Sequence, residues 1–265
     1  MRNKTILVVV MVVMATSAQA ASFTLSGSQH KNISSGYENA RLLDFSTANV
    51  YQTGGITYAN VYDEATLNVF GGTVSNLILT NNNSTVNISG GNHGIGGSLP
   101  SLFYAKDSST FNISGGSVDG VLYADIRSTI NISGGSMDYI LFPRDSSTVN
   151  ITGGEISTLF AEDSSKVYMS GGSVTSQFCA FERSTAIFDG SDFEFAPDAF
   201  GNMLSWDVDG QTILGTGILT GKWFDDTGFA IKITRNDTTA TIMAIPEPCT
   251  LLLLGLGGLA LRRKY

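Results

Sequence analysis

Hydrophobic and polar residues alternate along the middle of the chain in a phrase that keeps returning. In Ser84-Thr-Val-Asn-Ile-Ser-Gly-Gly91, Val86 and Ile88 point one way, and Thr85, Asn87 and Ser89 point the other. Period two marks a strand with one apolar face. The Gly-Gly pair supplies backbone angles closed to other residues and predicts a sharp corner. A second apolar stretch follows, as in Val121-Leu122-Tyr123-Ala124, and then a polar turn such as Asp145-Ser146. The phrase recurs at Ser109–Gly116, Ser128–Gly135 and Ser147–Gly154, and more loosely at Ala65–Gly72, Ser165–Gly172 and Ser184–Ser191. From Ala65 the copies are 19, 25, 19, 19, 18 and 19 residues apart. The long step contains an insertion around Asn92–Ser98, expected to protrude as a loop. Nothing in the body shows a helical period.

A unit of this kind does not fold alone, because ordering its backbone costs more than burying its few apolar side chains returns. Stacked copies close the gap by pairing each backbone with the coils on either side. The pattern therefore predicts an all-β fold, a parallel β-solenoid of about seven 19-residue coils over residues 46–202. A β-propeller is not expected, since such a repeat is too short for a four-stranded blade. Residues 21–45 are expected to cap one end. Residues 203–245 break the pattern: Asp209-Gly210 and Thr227-Gly228 suggest turns between short strands near Thr212–Leu219 and Phe229–Ile233. Trp206, Trp223 and Phe224 are suited to covering the last coil, with a small independent β-domain as the alternative.

Stacking converts repeat positions into columns. Asn68, Asn87, Asn112, Asn131 and Asn150 form one, and amide side chains can hydrogen-bond along such a ladder. Four of them also match N-x-S/T sequons, for which the ladder is the simpler explanation. Lys106, Asp125, Arg144 and Glu162 alternate in sign and suggest ion pairs that fix the stacking. Asp107, Asp145, Asp163 and Glu182, interrupted by Ile126, read as turn chemistry rather than a calcium site. Tyr104, Tyr123, Phe142 and Phe160 share one column, beside Phe103, Leu122, Leu141, Leu159 and Phe178. Consecutive strand residues face opposite sides, so a regular strand cannot bury both. An internal stack is the ordinary reading; an exposed strip would make these four residues glycan-contact candidates, or contacts for another protein.

Composition narrows the function. Charged residues make up 14% of the 265-residue chain, with 23 acidic and 15 basic side chains and 30 glycines. Both chain ends together hold five of the basic residues and one acidic one, so the body between them keeps 10 basic against 22 acidic groups. Nucleic acid is not an expected partner of such a surface. Of the two cysteines, Cys249 lies in the C-terminal tail, and the lone Cys179 reads as a small apolar residue. His30 and His93 are the only histidines, so neither a histidine-based triad nor a zinc cluster is visible. No phosphate-binding or dinucleotide fingerprint is present. Gly94-Ile-Gly-Gly97 lies in the insertion, outside a strand–helix context. Thr/Ser/Asn ladders invite comparison with ice-binding solenoids, but regular T-x-T rows are missing. No cofactor, metal or catalytic residue is expected.

The two ends are distinctive. Arg2 and Lys4 precede the apolar run Ile6–Met14, and Ala18-Gln19-Ala20 offers small residues for cleavage after Ala20, so residues 1–20 read as a secretory signal peptide for signal peptidase. At the other end Pro246-Glu247-Pro248 leads into the apolar run Cys249–Leu261 and then Arg262-Arg263-Lys264. Thirteen helical residues span about 20 Å, short of the roughly 30 Å hydrocarbon core. Basic residues stay cytoplasmic, which leaves residues 21–245 on the outer side of the membrane. This order of motif, short helix and basic cluster in residues 246–265 resembles the PEP-CTERM sorting signal of Gram-negative bacteria that secrete exopolysaccharide. The resemblance implies recognition by an exosortase, removal of the tail near Pro246–Pro248, a transient membrane anchor, and a final place at the cell surface or in the extracellular matrix. Its role is that of an address, silent about what the body does. A structural or adhesive protein of the exopolysaccharide or biofilm matrix is the expected function, with a carbohydrate-binding module as the alternative. A β-helix polysaccharide lyase or hydrolase is a weaker third, since the acids sit in repeating turns rather than on long loops.

Overall fold

A computed structural model describes residues 21–94, 100–235 and 238–246. All regular structure among them is β, and strands pair in parallel from coil to coil. One face stacks His30–Ile33, Thr47–Val50, Thr66–Val69 and Thr85–Ile88, then the N-terminal parts of Thr110–Val118, Thr129–Pro143, Thr148–Ala161, Lys166–Ala180 and Thr185–Ala196. A second, short face carries pairs such as Val118 against Met137 and Ile156 against Val174. The third stacks Ala21–Leu25, Gly36–Leu42, Gly55–Val61, Thr73–Thr80, Ser101–Ala105 and Gly120–Ala124, then the C-terminal parts of the long strands.

The solenoid has about nine turns rather than seven. The same turn recurs at Gly27, Asp44, Asp63, Asn82, Asp107, Ile126, Asp145, Asp163 and Glu182, each with positive φ. The extra coils come from residues 21–54, where the repeat phrase has decayed while the stacking positions persist: Asn32 pairs with Asn49, and Asn49 with Asn68. Residues 21–45 are thus coil as well as end cover.

The corners explain the glycine pairs. In Gly134-Gly135 the second residue has φ +80°, and a Cβ there would lie 2.7 Å from the Gly116 carbonyl oxygen. A Cβ on Gly134 would lie 2.7 Å from the Ser114 carbonyl oxygen. One glycine is demanded by backbone angle and the other by the close approach of the coil beneath.

Inside, Val86, Phe111, Ile130 and Val149 form one fully buried column and Ile88, Ile113, Ile132 and Ile151 another. Phe103, Leu122, Leu141, Leu159 and Phe178 fill the third face, so a single continuous core runs the length of the stack. At its first end Lys31 occupies an inward position, its ammonium 5.1 Å from the Phe23 ring and 5.0 Å from Tyr37. An inward charge on an edge strand discourages another chain from continuing the sheet.

At the other end the chain leaves the stack after Thr185–Ala196, crosses it, and returns. Gly228–Arg235 adds to the third face, with Ile233 beside Phe178, and Thr241–Pro246 adds to the first, with Thr241 beside Thr185. Thr216–Lys222 runs antiparallel between Gly228–Arg235 and the end of Thr185–Ala196. Leu204 and Ile213 are buried over the core, and buried Trp223 donates its Nε1–H to the Gly172 carbonyl at 2.9 Å.

Candidate functional site

The outer surface of the third face holds the aromatic column. Alternation is strict here: Phe103 and Leu122 point in, so Tyr104 and Tyr123 point out, and Phe142 and Phe160 continue the line, all half-buried. The internal-stack reading is therefore replaced by an outer strip. Tyr104 and Tyr123 stack at 4.8 Å with only 8° between their planes. Phe142 stands edge-on to Tyr123 at 5.5 Å and to Phe160 at 6.1 Å, and Phe160 meets Phe181 at 6.1 Å. Leu77, Leu102, Val121 and Ile140 form the neighbouring column, which widens the strip across the central coils and gives way to Thr158 and Gln177.

Cations border the strip. Lys106 lies 5.1 Å from the Tyr104 ring centre and Arg144 lies 4.8 Å from Tyr123. Arg144 is aimed by Asp125, which it grips through Nε and, at 3.0 Å, through Nη2. The bidentate bond to buried Asp125 raises the guanidinium's affinity for its proton. Burial, followed by the Tyr123 phenol beside it, pushes the Tyr104 phenol up. Among the described residues, Arg144–Asp125 is the one ion pair formed in the alternating charged column; Lys106 sits over its ring instead.

A different surface covers the first face. Seven asparagines, from Asn32 to Asn150, are joined down the stack by six hydrogen bonds, the Nδ2 of each after the first donating to the preceding Oδ1 at 2.7–3.0 Å. The four sequon asparagines belong to this ladder. Rows such as Thr110-x-Asn112-x-Ser114 and Thr148-x-Asn150-x-Thr152 run across it. The turn carboxylates are also engaged: Asp145 Oδ2 accepts the Ile126 N–H at 3.1 Å and Asp163 Oδ2 accepts the Asp145 N–H at 3.0 Å. Among the described residues no group of three His, Cys, Asp or Glu side chains could hold a metal.

Both remaining chemical suspects are structural. His93 is buried, its Nδ1 accepting the Val74 N–H at 3.1 Å while Nε2 meets the Gly90 carbonyl at 2.9 Å. That pairing describes a neutral imidazole, and burial holds its pKa below the ordinary histidine value. Cys179 is buried and free, and burial pushes its thiol up, away from reactivity.

Pro246 closes the terminal strand opposite Gly190. Glu247, Pro248, Arg262, Arg263 and Lys264 lie outside the described residues, as do Ala18 and Ala20, the apolar run of the tail, and residues 95–99 of the insertion. Residues 244–264 match the PEP-CTERM protein-sorting motif. The PEP-CTERM segment implies an exosortase as processing partner, with export and membrane anchoring before processing. It overlaps the last three residues of the strand Thr241–Pro246, so no spacer separates fold from address. No curated protein and no solved structure matches the chain.

Sequence reasoning left the aromatic phase open although a signal was present. Lys106, Asp125, Arg144 and Glu162 follow the aromatic column by two positions, whereas Ala105, Ala124, Pro143 and Ala161 follow its neighbour by two. Period two therefore groups the rings with the charges and places them outside.

Proposed function

We propose that residues 1–20 direct export, that an exosortase removes the PEP-CTERM tail, and that the solenoid then serves as a structural, adhesive element of the exopolysaccharide or biofilm matrix at the cell surface. One observation carries this reading: the sorting motif is continuous with a long, regular stack whose outer side chains are engaged with one another. We read the body as non-enzymatic. The test compares cells making the intact protein, cells making a form that lacks residues 247–265, and cells lacking the protein. The intact protein is expected in the matrix fraction, with a cohesive biofilm. Equal biofilm cohesion with and without the protein would remove the structural role.

A carbohydrate-binding role is the second reading, favoured by the half-exposed strip and its bordering cations. Stacking on sugars requires open ring faces, and Tyr104 and Tyr123 spend a face on each other. Binding of the host's exopolysaccharide by the processed protein, lost in a folded Tyr104/Tyr123/Phe142/Phe160→Ala variant, would favour this reading over pure scaffolding. Cleavage of the polymer in the same assay would make the protein an enzyme.

A further inference from the structure

The solenoid ends where the chain departs for the membrane, and that end displays apolar side chains. The outer edge of Thr241–Pro246 is covered by the crossing segment: the Gln211 carbonyl accepts the Ala244 N–H at 3.1 Å, and Thr212 bridges Met243. Its last residue faces Gly190, which lies against the Lys222 carbonyl at the base of the hairpin bearing Phe224. Beyond Pro246 only Glu247 and Pro248 precede the apolar run that begins at Cys249. Three peptide steps reach about 10 Å at most, comparable to the headgroup layer of a bilayer. While the tail spans the membrane, this end of the body is held against lipid.

Five of the twelve most exposed large apolar side chains among the described residues fall in this short stretch: Phe200, Met203, Trp206, Val208 and Phe224. Val208 is fully exposed and Phe200 is 83% exposed. Their loops are built to present them. Asp198 accepts the Phe200 and Asn202 N–H groups, Asp209 those of Gln211 and Thr212, and Asp225 that of Thr227. Such Asx turns fix the backbone and leave the intervening apolar residues outward.

We propose that this crossing segment and the Phe224 hairpin form a membrane-interface surface, which dips into the outer leaflet of the inner membrane while the PEP-CTERM tail spans the bilayer. The proposal rests on the anchoring role of that tail. Aromatic and apolar side chains favour the headgroup boundary, whereas the acidic body is repelled by anionic lipid. Contact therefore depends on the tether, which supplies a high effective concentration, and it ends when the tail is cut. Docking would hold Pro246-Glu247-Pro248 at a fixed height for the exosortase.

Trp206 reports on this directly, because Trp223 is only 3% exposed. The full chain with its tail intact would be placed in phosphatidylcholine nanodiscs containing bromine on the acyl chains. Trp206 fluorescence should be quenched by at least about a third, Trp206→Phe should remove the quenchable part, and Phe200→Ser/Val208→Ser should reduce it with Trp223 still shielded from acrylamide. A chain that co-migrates with the discs but is no more quenched than Trp206→Phe would overturn the proposal. Failure to co-migrate would overturn the tether itself, and the docking with it.

Discussion

Two outer surfaces of one stack hold themselves together by different means. On the first face the asparagine column is directional: each amide donates to one neighbour and accepts from the other. On the third face the rings touch at 4.8–6.1 Å in orientations that change from parallel to perpendicular. A hydrogen-bonded column demands the same residue in every coil, and the sequence complies from Asn32 to Asn150. Contact between rings demands only bulk, so tyrosine, phenylalanine and, in the coil before, Leu79 all serve. The polar face is therefore the intolerant one, and the aromatic face is free to vary toward a binding task.

The largest effect is expected at the glycine corner, where the first face turns onto the short one. Gly135→Ala forces a side chain onto a left-handed backbone and drives its Cβ to 2.7 Å from the Gly116 oxygen. The backbone penalty is roughly 1–2 kcal/mol, and the clash with a paired strand adds to it, for about 3 kcal/mol in all. A fall in melting temperature of roughly 6–12 °C checks this. An unchanged transition would mean that the coils are not locked at that spacing.

Next in size comes the direct contrast between the faces. Asn131→Leu removes one donor and one acceptor, orphaning groups on Asn112 and Asn150, and should cost about 2 kcal/mol. Phe142→Leu removes two edge-on ring contacts but keeps bulk, and should cost less than about 1 kcal/mol. Denaturant midpoints for the two proteins give the comparison. Equal losses would erase the distinction between the two faces.

A pH titration probes the short face between them. Burial disfavours the charged form of His93, so the unfolded chain binds the proton more readily. Its contribution is complete above the ordinary histidine value of about 6.5 and is lost as pH falls below it. His93→Gln keeps an acceptor for the Val74 N–H and should flatten stability between pH 7 and 5. Persistence of the same slope would point to the carboxylates instead.

How much of this was legible depended on how faithfully each coil keeps the phrase. The asparagine column and the glycine corners stand in the sequence because single residue types are indispensable there, and the turns stand out because Asp recurs in five of the nine. Residues 21–54 were harder, since Lys31 and Ala48 occupy positions that Leu67 and Val86 hold later. Least legible was the final coil. Gly228–Arg235 and Thr241–Pro246 rejoin the stack after a long excursion, and their pairing with Phe178 and Thr185 follows from geometry that no repeated phrase announces. The outer strip needed only the two-residue phase of its charges to be recognised, whereas the capping patch has no periodicity at all.

The smallest effect is expected one residue before each strand of the polar face. Ser128, Ser147, Ser165 and Ser184 are buried with hydroxyls that have no hydrogen-bond partner, while Ala65 and Ala240 hold the same position in other coils. The adjacent turns are fastened through backbone, as the Ser147 N–H to the Arg144 carbonyl at 3.2 Å shows. In earlier coils the hydroxyl does bond, Ser84 Oγ accepting the Asn81 N–H at 3.1 Å. Burying an unmatched hydroxyl is unfavourable, so Ser147→Ala should be neutral or stabilising by up to about 1 kcal/mol, whereas Ser84→Ala should be mildly destabilising. Opposite signs for these two substitutions, read from denaturant midpoints, would show that serine recurs in the central coils without adding to their stability. A loss at Ser147 equal to that at Ser84 would mean that the hydroxyls do find partners down the column, giving the interior a polar ladder of its own beside the asparagines.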